Sequence, residues 1–271
     1  MNDQAQRASA FLALHRQGQP LLLANAWDAG SAKLLAAAGF QALASTSSGY
    51  AASIGRLDYG VTREEALAHA QALVQASPVP VSADFEDGFA PDPAGVAETV
   101  KLAREVGLAG CSVEDWSSGE ARLFEAQAAA ERVAAAAEAA HGGSVRLVLT
   151  ARAENYLRGN PDLKDTIARL QAYERAGADV LYAPGLHRPE ELRELLAAVT
   201  LPVNVLAKAD TPPVSELAAL GVARVSVGGA FAFASYAAML EAGRELLEQG
   251  TYGFTERSGA GARAVREAFA D

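Results

Sequence analysis

Eight short apolar segments, each followed by a stretch with a helical pattern, constrain the fold of this chain more than any other feature of its sequence. Segments of this length read as buried strands, and the stretches between them are long enough to be crossover helices. Eight such units predict an α/β fold of the (β/α)8 TIM-barrel type. The predicted strands are Leu21–Ala26, Ala42–Ser47, Val79–Phe85, Gly110–Glu114, Arg146–Ala151, Val180–Ala183, Val203–Ala207 and Arg224–Val227.

Capping residues mark several of the predicted helices. Thr62 and Glu65 form a capping-box pattern, and Asp92 precedes a proline at a first helical position. An N-terminal helix, from about Gln4 to Arg16, comes before the first strand, and a long helix, Ala232–Glu248, follows the last. Because no linker-like stretch divides the chain, residues 1–271 are predicted to form one domain. A doubly wound open sheet is the alternative, weakened because no Gly-x-Gly-x-x-Gly fingerprint follows the first strand.

The composition limits the classes of partner. Half of the 271 residues are hydrophobic, which supplies the core of one large barrel. The net charge of −10 argues against a nucleic-acid partner, because a phosphate-backbone binder needs a basic face. Local cations can still bind an anionic substrate. Cys111 is the only cysteine, so the sequence excludes an internal disulfide and predicts a small buried apolar residue at that position.

The chain carries no targeting or membrane signal that we can recognise. Its first residues lack the basic and apolar regions of a secretory signal, and no apolar run approaches the roughly 20 residues of a membrane span. We therefore expect a cytoplasmic protein with no membrane partner. His15, His69 and His141 fall on predicted helices or loops, and we expect them at the surface.

Acidic residues stand at the carboxyl ends of two predicted strands. Asp84 and Glu86 close one strand, and Glu114 closes the next. In a parallel barrel these ends converge on the face that carries the active site, and along a strand Asp84 and Glu86 point the same way. Mg²⁺ prefers oxygen ligands and keeps several waters, so a few carboxylates suffice. These three acids are the predicted metal ligands, for Mg²⁺ or, as the other metal, Mn²⁺. The alternative is that such acids are helix caps or solvated loop residues, as we expect for Asp87 and Asp115.

Arg152 follows a predicted strand that is mostly apolar, so its guanidinium should emerge into the mouth of the barrel. A planar fork of donors there suits a carboxylate or a phosphate. A salt bridge to Glu154 is the alternative, and the two roles are compatible.

Two further segments indicate binding of a polar ligand. Small hydroxyl residues and a glycine follow the second strand, and such a loop lets backbone N–H groups approach an anion, although it is also common turn material. Asn204 is a polar residue within a predicted strand and needs partners, either the substrate or neighbouring backbone. The predicted substrate-binding residues in these segments are Thr46, Ser48, Gly49, Tyr50 and Asn204.

The order of these motifs resembles the isocitrate lyase/phosphoenolpyruvate mutase superfamily, and the likeness covers nearly the whole chain. The superfamily implies a Mg²⁺-dependent α/β barrel that binds 2-oxo acids and makes or breaks C–C or P–C bonds beside the carbonyl. It also implies a dimer of dimers with an exchanged last helix. The segments that carry the resemblance are Asn25–Ala32, Ser48–Ser53, Asp58, Asp84–Phe89, Ser112–Asp115 and Thr150–Arg152.

The resemblance implies a role for each matching residue. Asp84 matches the principal Mg²⁺ aspartate, with Glu86 and Glu114 as the second and third acids around the metal. Asp58 matches an acid in the flexible segment after the second strand, and Arg152 matches the substrate-binding arginine. The loop that holds the substrate carboxylate corresponds to Ser48, Gly49 and Tyr50, and Asn204 lies near a substrate-contacting asparagine. Asp58, Glu114 and Arg152 are therefore the predicted catalytic residues.

The sequence departs from the lyases of this superfamily at their lid. Those enzymes carry a motif of the type Lys-Lys/Arg-Cys-Gly-His after the Glu-Asp pair, and its cysteine supplies acid–base chemistry. Here Trp116–Leu123 contains no cysteine, histidine or lysine. The lyase glutamate after the sixth strand is also replaced, around Ala183–Gly185. We therefore expect poor cleavage of isocitrate.

The expected activity is Mg²⁺-dependent C–C cleavage or decarboxylation of an oxaloacetate- or 2-oxoglutarate-like 2-oxo acid, through a metal-stabilised enolate. The alternatives are P–C bond chemistry on phosphonopyruvate or phosphoenolpyruvate, and a catalytically weak barrel that binds 2-oxo acids. The apolar face of Phe231–Leu247 and the tail through Phe254 exceed what one barrel needs. With the resemblance, they predict a homo-oligomer, a dimer or tetramer, whose C-terminal helix is exchanged between subunits.

Overall fold

A computed structural model describes residues 3–270, and in it eight parallel strands close into a barrel with helices between them. The predicted α/β barrel is therefore confirmed. The order around the barrel is β1, β2, β3, β4, β7, β8, β9 and β10, and a two-stranded antiparallel hairpin, β5 and β6, follows β4. The strands are β1 Leu21–Ala26, β2 Leu43–Ser45, β3 Val81–Asp84, β4 Gly110–Glu114, β5 Trp116–Ser117, β6 Arg122–Leu123, β7 Val148–Arg152, β8 Val180–Tyr182, β9 Val203–Leu206 and β10 Arg224–Ser226.

Helices cover the outside of the barrel and one end of it. They are α1 Asp3–Ala13, α2 Ala29–Ala37, α3 Ser47–Ser53, α4 Arg63–Ala76, α5 Pro93–Glu105, α6 Ala126–His141, α7 Leu163–Arg175, α8 Pro189–Ala198, α9 Val214–Leu220, α10 Ala230–Arg244 with a π-helical turn at Glu245–Gln249, and α11 Thr255–Phe269. In the described part of the chain, none of these helices has the length and apolar character needed to cross a membrane.

The capping signals in the sequence correspond to real caps. Thr62 accepts a hydrogen bond from the Glu65 amide, and the Glu65 carboxylate accepts one from the Thr62 amide at 2.8 Å. Asp92 accepts a hydrogen bond from the Gly95 amide at 2.9 Å and begins α5. These short-range interactions satisfy N–H groups that have no partner inside the helix, which is why local sequence identified them.

Five strands end one or two residues earlier than the sequence predicts, and the differences in β2 and β3 change the site. β2 stops at Ser45 because Thr46 is the N-cap of α3, so the predicted Ser/Gly loop is instead a short helix. β3 stops at Asp84, and Glu86 lies beyond it with φ 49°, in the left-handed region. The prediction that the side chains of Asp84 and Glu86 point the same way assumed that both residues lie in one strand, and Glu86 lies outside it. The hairpin β5–β6 and helix α11 are also absent from the sequence prediction.

Two histidines expected at the surface are buried. His69 contacts the Trp27 carbonyl oxygen at 3.0 Å, and His15 contacts Arg224 at 3.1 Å. Both lie on or just after helices that face the barrel, where helical position alone does not reveal which side is covered. Cys111 is fully buried in β4, as predicted.

Close packing of two neighbouring strands fixes the position of the acid at the end of β4. Gly110 begins this strand opposite Val148 of β7. A Cβ atom on Gly110 would lie 2.6 Å from the Val148 carbonyl oxygen and 3.0 Å from the Phe11 ring. Since real Cβ atoms do not approach backbone so closely, only glycine allows β4 and β7 to pair at this point.

We predict that Gly110→Ala lowers the free energy of unfolding by about 1–3 kcal/mol, the range of overpacking in a dense core. Gly119→Ala is the matched control, because a Cβ there meets nothing within 4 Å and the residue has no positive φ. Urea unfolding of both variants measures the effect. Equal stability of the two variants would show that the strand contact is not limiting.

Candidate active site

A polar cavity of about 170 Å³ opens at the carboxyl ends of the barrel strands. This volume lies below the roughly 300–1,000 Å³ of pockets for drug-sized ligands, so the cavity suits a small molecule. All eight barrel strands contribute to it, and most of the contributed side chains are polar. Among the lining residues are Asn25, Ser45, Asp84, Ser112, Arg152, Tyr182, Asn204 and Arg224.

Arg152 lies at the centre of an ion cluster in this cavity. Its Nη1 donates to Asp84 Oδ1 at 2.8 Å, its Nη2 lies 2.9 Å from Glu114 Oε2, and both Nη2 and Nε reach Glu154 Oε1, at 2.9 and 3.0 Å. The side chain is mostly buried. The predicted bridge to Glu154 is therefore present, together with two further bridges. Of the five N–H donors of a guanidinium, one on Nη1 stays available.

Several donors hold the Asp84 carboxylate. Besides Arg152, Oδ1 accepts hydrogen bonds from the Ser112 hydroxyl at 3.2 Å and from the Glu86 amide at 3.3 Å, and Oδ2 accepts one from Ser47 at 3.4 Å. The Asp84 amide donates to Ser45 Oγ at 2.8 Å, which fixes its backbone. The side chain is therefore held at the cavity wall by residues of three neighbouring strand ends.

Glu114 is buried behind Arg152 and is held from a second side by Tyr59. The Tyr59 hydroxyl donates to Glu114 Oε1 at 2.5 Å, and Arg158 donates to the same hydroxyl and lies 3.5 Å from Glu114 Oε1. The guanidinium of Arg158 also lies 4.4 Å from the Trp116 ring centroid. Glu114 thus orients Arg152 from below the cavity wall and does not itself line the cavity.

Carboxylates outnumber guanidinium groups in this region. Burial raises the pKa of Glu86 to about 8, and it also raises the pKa values of Glu114, Glu154 and Asp58 above their ordinary range. Burial lowers the pKa of Arg152, but the three carboxylates around it outweigh this and hold the pKa well above its usual value. The site therefore has a deficit of positive charge that an additional cation would relieve.

The residues fit Mg²⁺ bound through few protein ligands better than a closed metal cage. Within residues 3–270, no three histidine, cysteine or acidic side chains come together as a ready-made metal site. Mg²⁺ is commonly held by one or two carboxylates, with water and substrate oxygens completing its shell. Asp84 faces the cavity, and Glu86 Oε1 is buried with no hydrogen-bond partner among residues 3–270. Asp84 and Glu86 are compatible with such a site, whereas the oxygens of Glu114 contact Arg152 and Tyr59. The assignment of Asp84, Glu86 and Glu114 as metal ligands stays a prediction.

Helix α3 replaces the predicted anion-binding loop. Thr46 and Ser48 line the cavity, but Gly49 and Tyr50 do not. The Gly49 amide donates to Thr46 Oγ1 at 3.3 Å and the Tyr50 amide to the Thr46 carbonyl at 3.0 Å, so both are used inside the helix. The Tyr50 ring stacks on His69, with centroids 3.9 Å apart. The Gly49 and Tyr50 amides therefore have acceptors within the helix, and their binding of the substrate stays a prediction; the first-turn amides of Ser47 and Ser48 have no helical acceptor.

The two remaining predicted residues lie at opposite ends of the cavity. Asp58 is at the mouth, in the connection between α3 and α4. Asn204 is deep in the barrel, where its Nδ2 donates to Ser226 Oγ and its Oδ1 accepts from Arg224 Nε, both at 2.9 Å. Its partners within the protein are thus side chains of β10. The partners considered from the sequence were only the substrate and neighbouring backbone.

Sequence reasoning missed four residues of the site. Tyr59 gave no signal except its position beside Asp58. Arg158 follows Glu154 by four residues, a spacing that brings charges together on one helical turn. Tyr182 ends a strand among apolar residues. Of the four, only Arg224 could have been recognised from the sequence, because a charged residue inside an otherwise apolar strand has to find a partner.

The fold places the chain among the (β/α)8 barrels, and comparison with known protein families identifies its family. The chain matches phosphoenolpyruvate phosphomutase over residues 11–247 and belongs to that family, within the isocitrate lyase/phosphoenolpyruvate mutase superfamily predicted from its motifs. Homologues of the chain with an assigned activity include carbon–carbon lyases.

Two proteins of similar sequence and one solved structure illustrate what the chain resembles. An uncharacterised protein of Mycobacterium tuberculosis is 38% identical over 221 residues, 81% of each chain. The 2-methylisocitrate lyase of Halalkalibacterium halodurans is 30% identical over 210 residues, 74% of this chain and 67% of the lyase. The crystal structure of a candidate lyase/mutase from Burkholderia cenocepacia J2315 is 47% identical and has a TM-score of 0.94, covering 100% of this chain and 98% of that one.

We predict that His69, which packs under α3, makes stability depend on pH. Burial lowers its pKa from 6.5 to about 4, so between these values the unfolded chain binds a proton that the folded chain does not. The free energy of unfolding therefore falls as the pH is lowered from about 6.5 to 4, with His69 contributing about 1.4 kcal/mol per pH unit within that window.

Urea unfolding at several pH values compares the wild type with His69→Gln. The variant loses this part of the slope, whatever it loses in absolute stability at pH 8 through the Tyr50 stack. Parallel curves for the two proteins would contradict the assignment of a neutral His69.

Proposed function

We propose that this protein is a Mg²⁺-dependent carbon–carbon lyase that cleaves or decarboxylates an oxaloacetate- or 2-oxoglutarate-like 2-oxo acid. The observation that carries the proposal is the arrangement of Arg152 among Asp84, Glu114 and Glu154 at the wall of a small polar cavity. A fixed cation suits the carboxylate of such an acid, and an excess of acids suits a divalent cation beside it.

Asp84 and the acids around it would hold Mg²⁺, which supplies a Lewis acid for the oxygen that gains negative charge as the bond breaks. Arg152 donates its remaining N–H to the substrate carboxylate. The first-turn amides of Ser47 and Ser48 contribute further donors at the cavity wall. Because Glu114 and Glu154 fix the guanidinium, orientation and charge are in place before the substrate binds.

The hairpin offers no substitute for the lid cysteine of the related lyases. Its only acid, Glu120, lies 2.5 Å from Arg122 in an exposed ion pair. General acid–base groups contribute typically about 10²–10⁴-fold to proton transfers at carbon. A reaction with little demand for such a group, such as loss of CO₂ from a 3-carboxy-2-oxo acid, therefore suits this site better than isocitrate cleavage.

The second candidate is P–C bond chemistry on phosphonopyruvate or phosphoenolpyruvate, favoured by the match to the phosphoenolpyruvate phosphomutase family. The same cation and acids would bind such a substrate. A catalytically weak 2-oxo-acid binder is the third. We rank both below the lyase because homologues of the chain include carbon–carbon lyases.

We also propose that the protein is a homo-oligomer assembled through α10 and the turn after it. Apolar side chains of this segment are exposed in the single chain: Phe231, Phe233, Met239, Leu240, Leu246 and Leu247. Several large apolar side chains exposed along one segment often mark a contact with another protein. Helix α11 packs on α2 of its own chain, where the Phe269 ring lies 5.4 Å from Lys33 Nζ. Exchange of the C-terminal helix stays a prediction.

We predict that the enzyme with Mg²⁺ has a higher kcat/KM for oxaloacetate than for isocitrate, 2-methylisocitrate or phosphonopyruvate, by at least about tenfold, because the hairpin lacks an acid–base residue. EDTA should abolish turnover, and Asp84→Asn should lose both turnover and thermal stabilisation by Mg²⁺ with the ligand. Asp3→Asn, an exposed aspartate on α1, is the control. Efficient isocitrate cleavage, or turnover that survives EDTA, contradicts the proposal.

We predict that Leu247→Glu shifts the protein toward monomer in sedimentation velocity at micromolar concentration. Leu57→Glu is the matched control, because both leucines are 87% exposed in the single chain and only Leu247 belongs to the α10 surface. A wild type that is monomeric at this concentration, or the same shift in both variants, rules out the α10 interface.

A further inference from the structure

A buried guanidinium without a carboxylate partner lies at the floor of the cavity. Arg224 on β10 is 4% exposed and lines the cavity from below. Its three nitrogens contact Asn204 Oδ1 at 2.9 Å, His15 Nε2 at 3.1 Å and Thr150 Oγ1 at 3.1 Å. All three acceptors are neutral groups, and across residues 3–270 Arg224 forms no salt bridge.

Among the residues that the structure describes, no carboxylate contacts Arg224. His15 accepts a hydrogen bond from it and is neutral, since burial and the neighbouring guanidinium lower the pKa of this histidine to about 3. Burial lowers the pKa of Arg224 to about 10, so it is still charged at neutral pH. A buried charge is costly unless an opposite charge accompanies it. The positive charge of Arg224 therefore lacks a negatively charged partner in contact with it, and an anionic ligand would supply one.

Small side chains keep the space above Arg224 open. The interior of a TIM barrel is usually filled by bulky branched residues, but here Ala44, Ser82 and Thr150 line the same cavity as Arg224. The cavity consequently extends along the barrel from Arg152 at the rim to Arg224 at the floor. Thr150, which contacts Arg224, and Arg152 are two residues apart on one strand, so they lie on the same face about 6.6 Å apart.

We propose that Arg224 binds the second carboxylate of a dicarboxylic 2-oxo acid and selects it against monocarboxylic ones. This inference deepens the proposed function and rests on it for the position of the first carboxylate, at Arg152. The step of about 6.6 Å from Thr150, which Arg224 contacts, to Arg152 suits the two carboxylates of a four- or five-carbon diacid. Arg224 has two N–H groups beyond those already used, one on each Nη, and these would form charge-assisted hydrogen bonds with the incoming oxygens.

Calorimetric titration with Mg²⁺ at neutral pH tests this with succinate and butyrate, which differ only in the second carboxylate. The wild type should bind succinate at least about tenfold more tightly than butyrate. Arg224→Gln should bring that ratio close to one, with butyrate affinity changed less than about twofold. A ratio that persists in Arg224→Gln, or no preference in the wild type, overturns the proposal. So does tighter binding of 3-phosphonopropionate than of succinate, which would assign the position to a phosphonate.

A second pair of variants keeps the test decisive if Arg224→Gln does not fold. His15 contacts Arg224 but does not line the cavity. His15→Glu gives the guanidinium a carboxylate from outside the cavity and should abolish the succinate preference, whereas the neutral His15→Gln should retain it. Equal preferences in these two variants overturn the proposal. Because the readout is binding, an Arg224-dependent preference without turnover would refute the lyase activity alone, and turnover without it would refute the subsite alone.

Discussion

The ion cluster around Arg152 depends on the register of three neighbouring strands. β4 and β7 pair so that Glu114 lies opposite Arg152, and β3 and β4 pair so that Asp84 lies opposite Ser112. A slip of one residue would turn these side chains to the other face of the sheet. The chemistry of the cavity is therefore a consequence of backbone pairing several residues below it, where packing tolerates only a glycine.

Local sequence signals were enough to predict the barrel, because strand–helix alternation and helix caps are short-range properties. β1 and β4 have the predicted bounds. The errors lie where tertiary contacts decide. Thr46 turns a Ser/Gly segment into a helix in which the Gly49 and Tyr50 amides have internal acceptors, and Glu86 takes a left-handed conformation that ends the strand alternation. The burial of His15 and His69 likewise depends on which helix face meets the barrel, and their own positions carry no signal of it.

Several residues of the candidate site could also be predicted from the sequence. Two of those that could not be predicted lie in connections between secondary-structure elements. Asp84 and Arg152 could be placed because strand ends converge in any parallel barrel. Tyr59 and Arg158 could not, because each comes from a connection between elements and meets Glu114 only after the chain has folded. The salt bridge from Glu154 to Arg152 was anticipated. The structure adds that Glu114 and Asp84 hold the same guanidinium from its other sides.

The two arginines of the cavity show how the same side chain acquires different properties from its partners. Arg152 has three carboxylates around it, so most of its donors are committed and its position is rigid. Within the described part of the chain, Arg224 has only neutral acceptors, so no carboxylate there balances its charge directly. A guanidinium saturated with carboxylates mainly orients what binds beside it, whereas one surrounded by neutral groups gains most from an anionic ligand, because that ligand removes the penalty of an unpaired buried charge. The difference in partners therefore points to orientation at the rim of the cavity and selection at its floor.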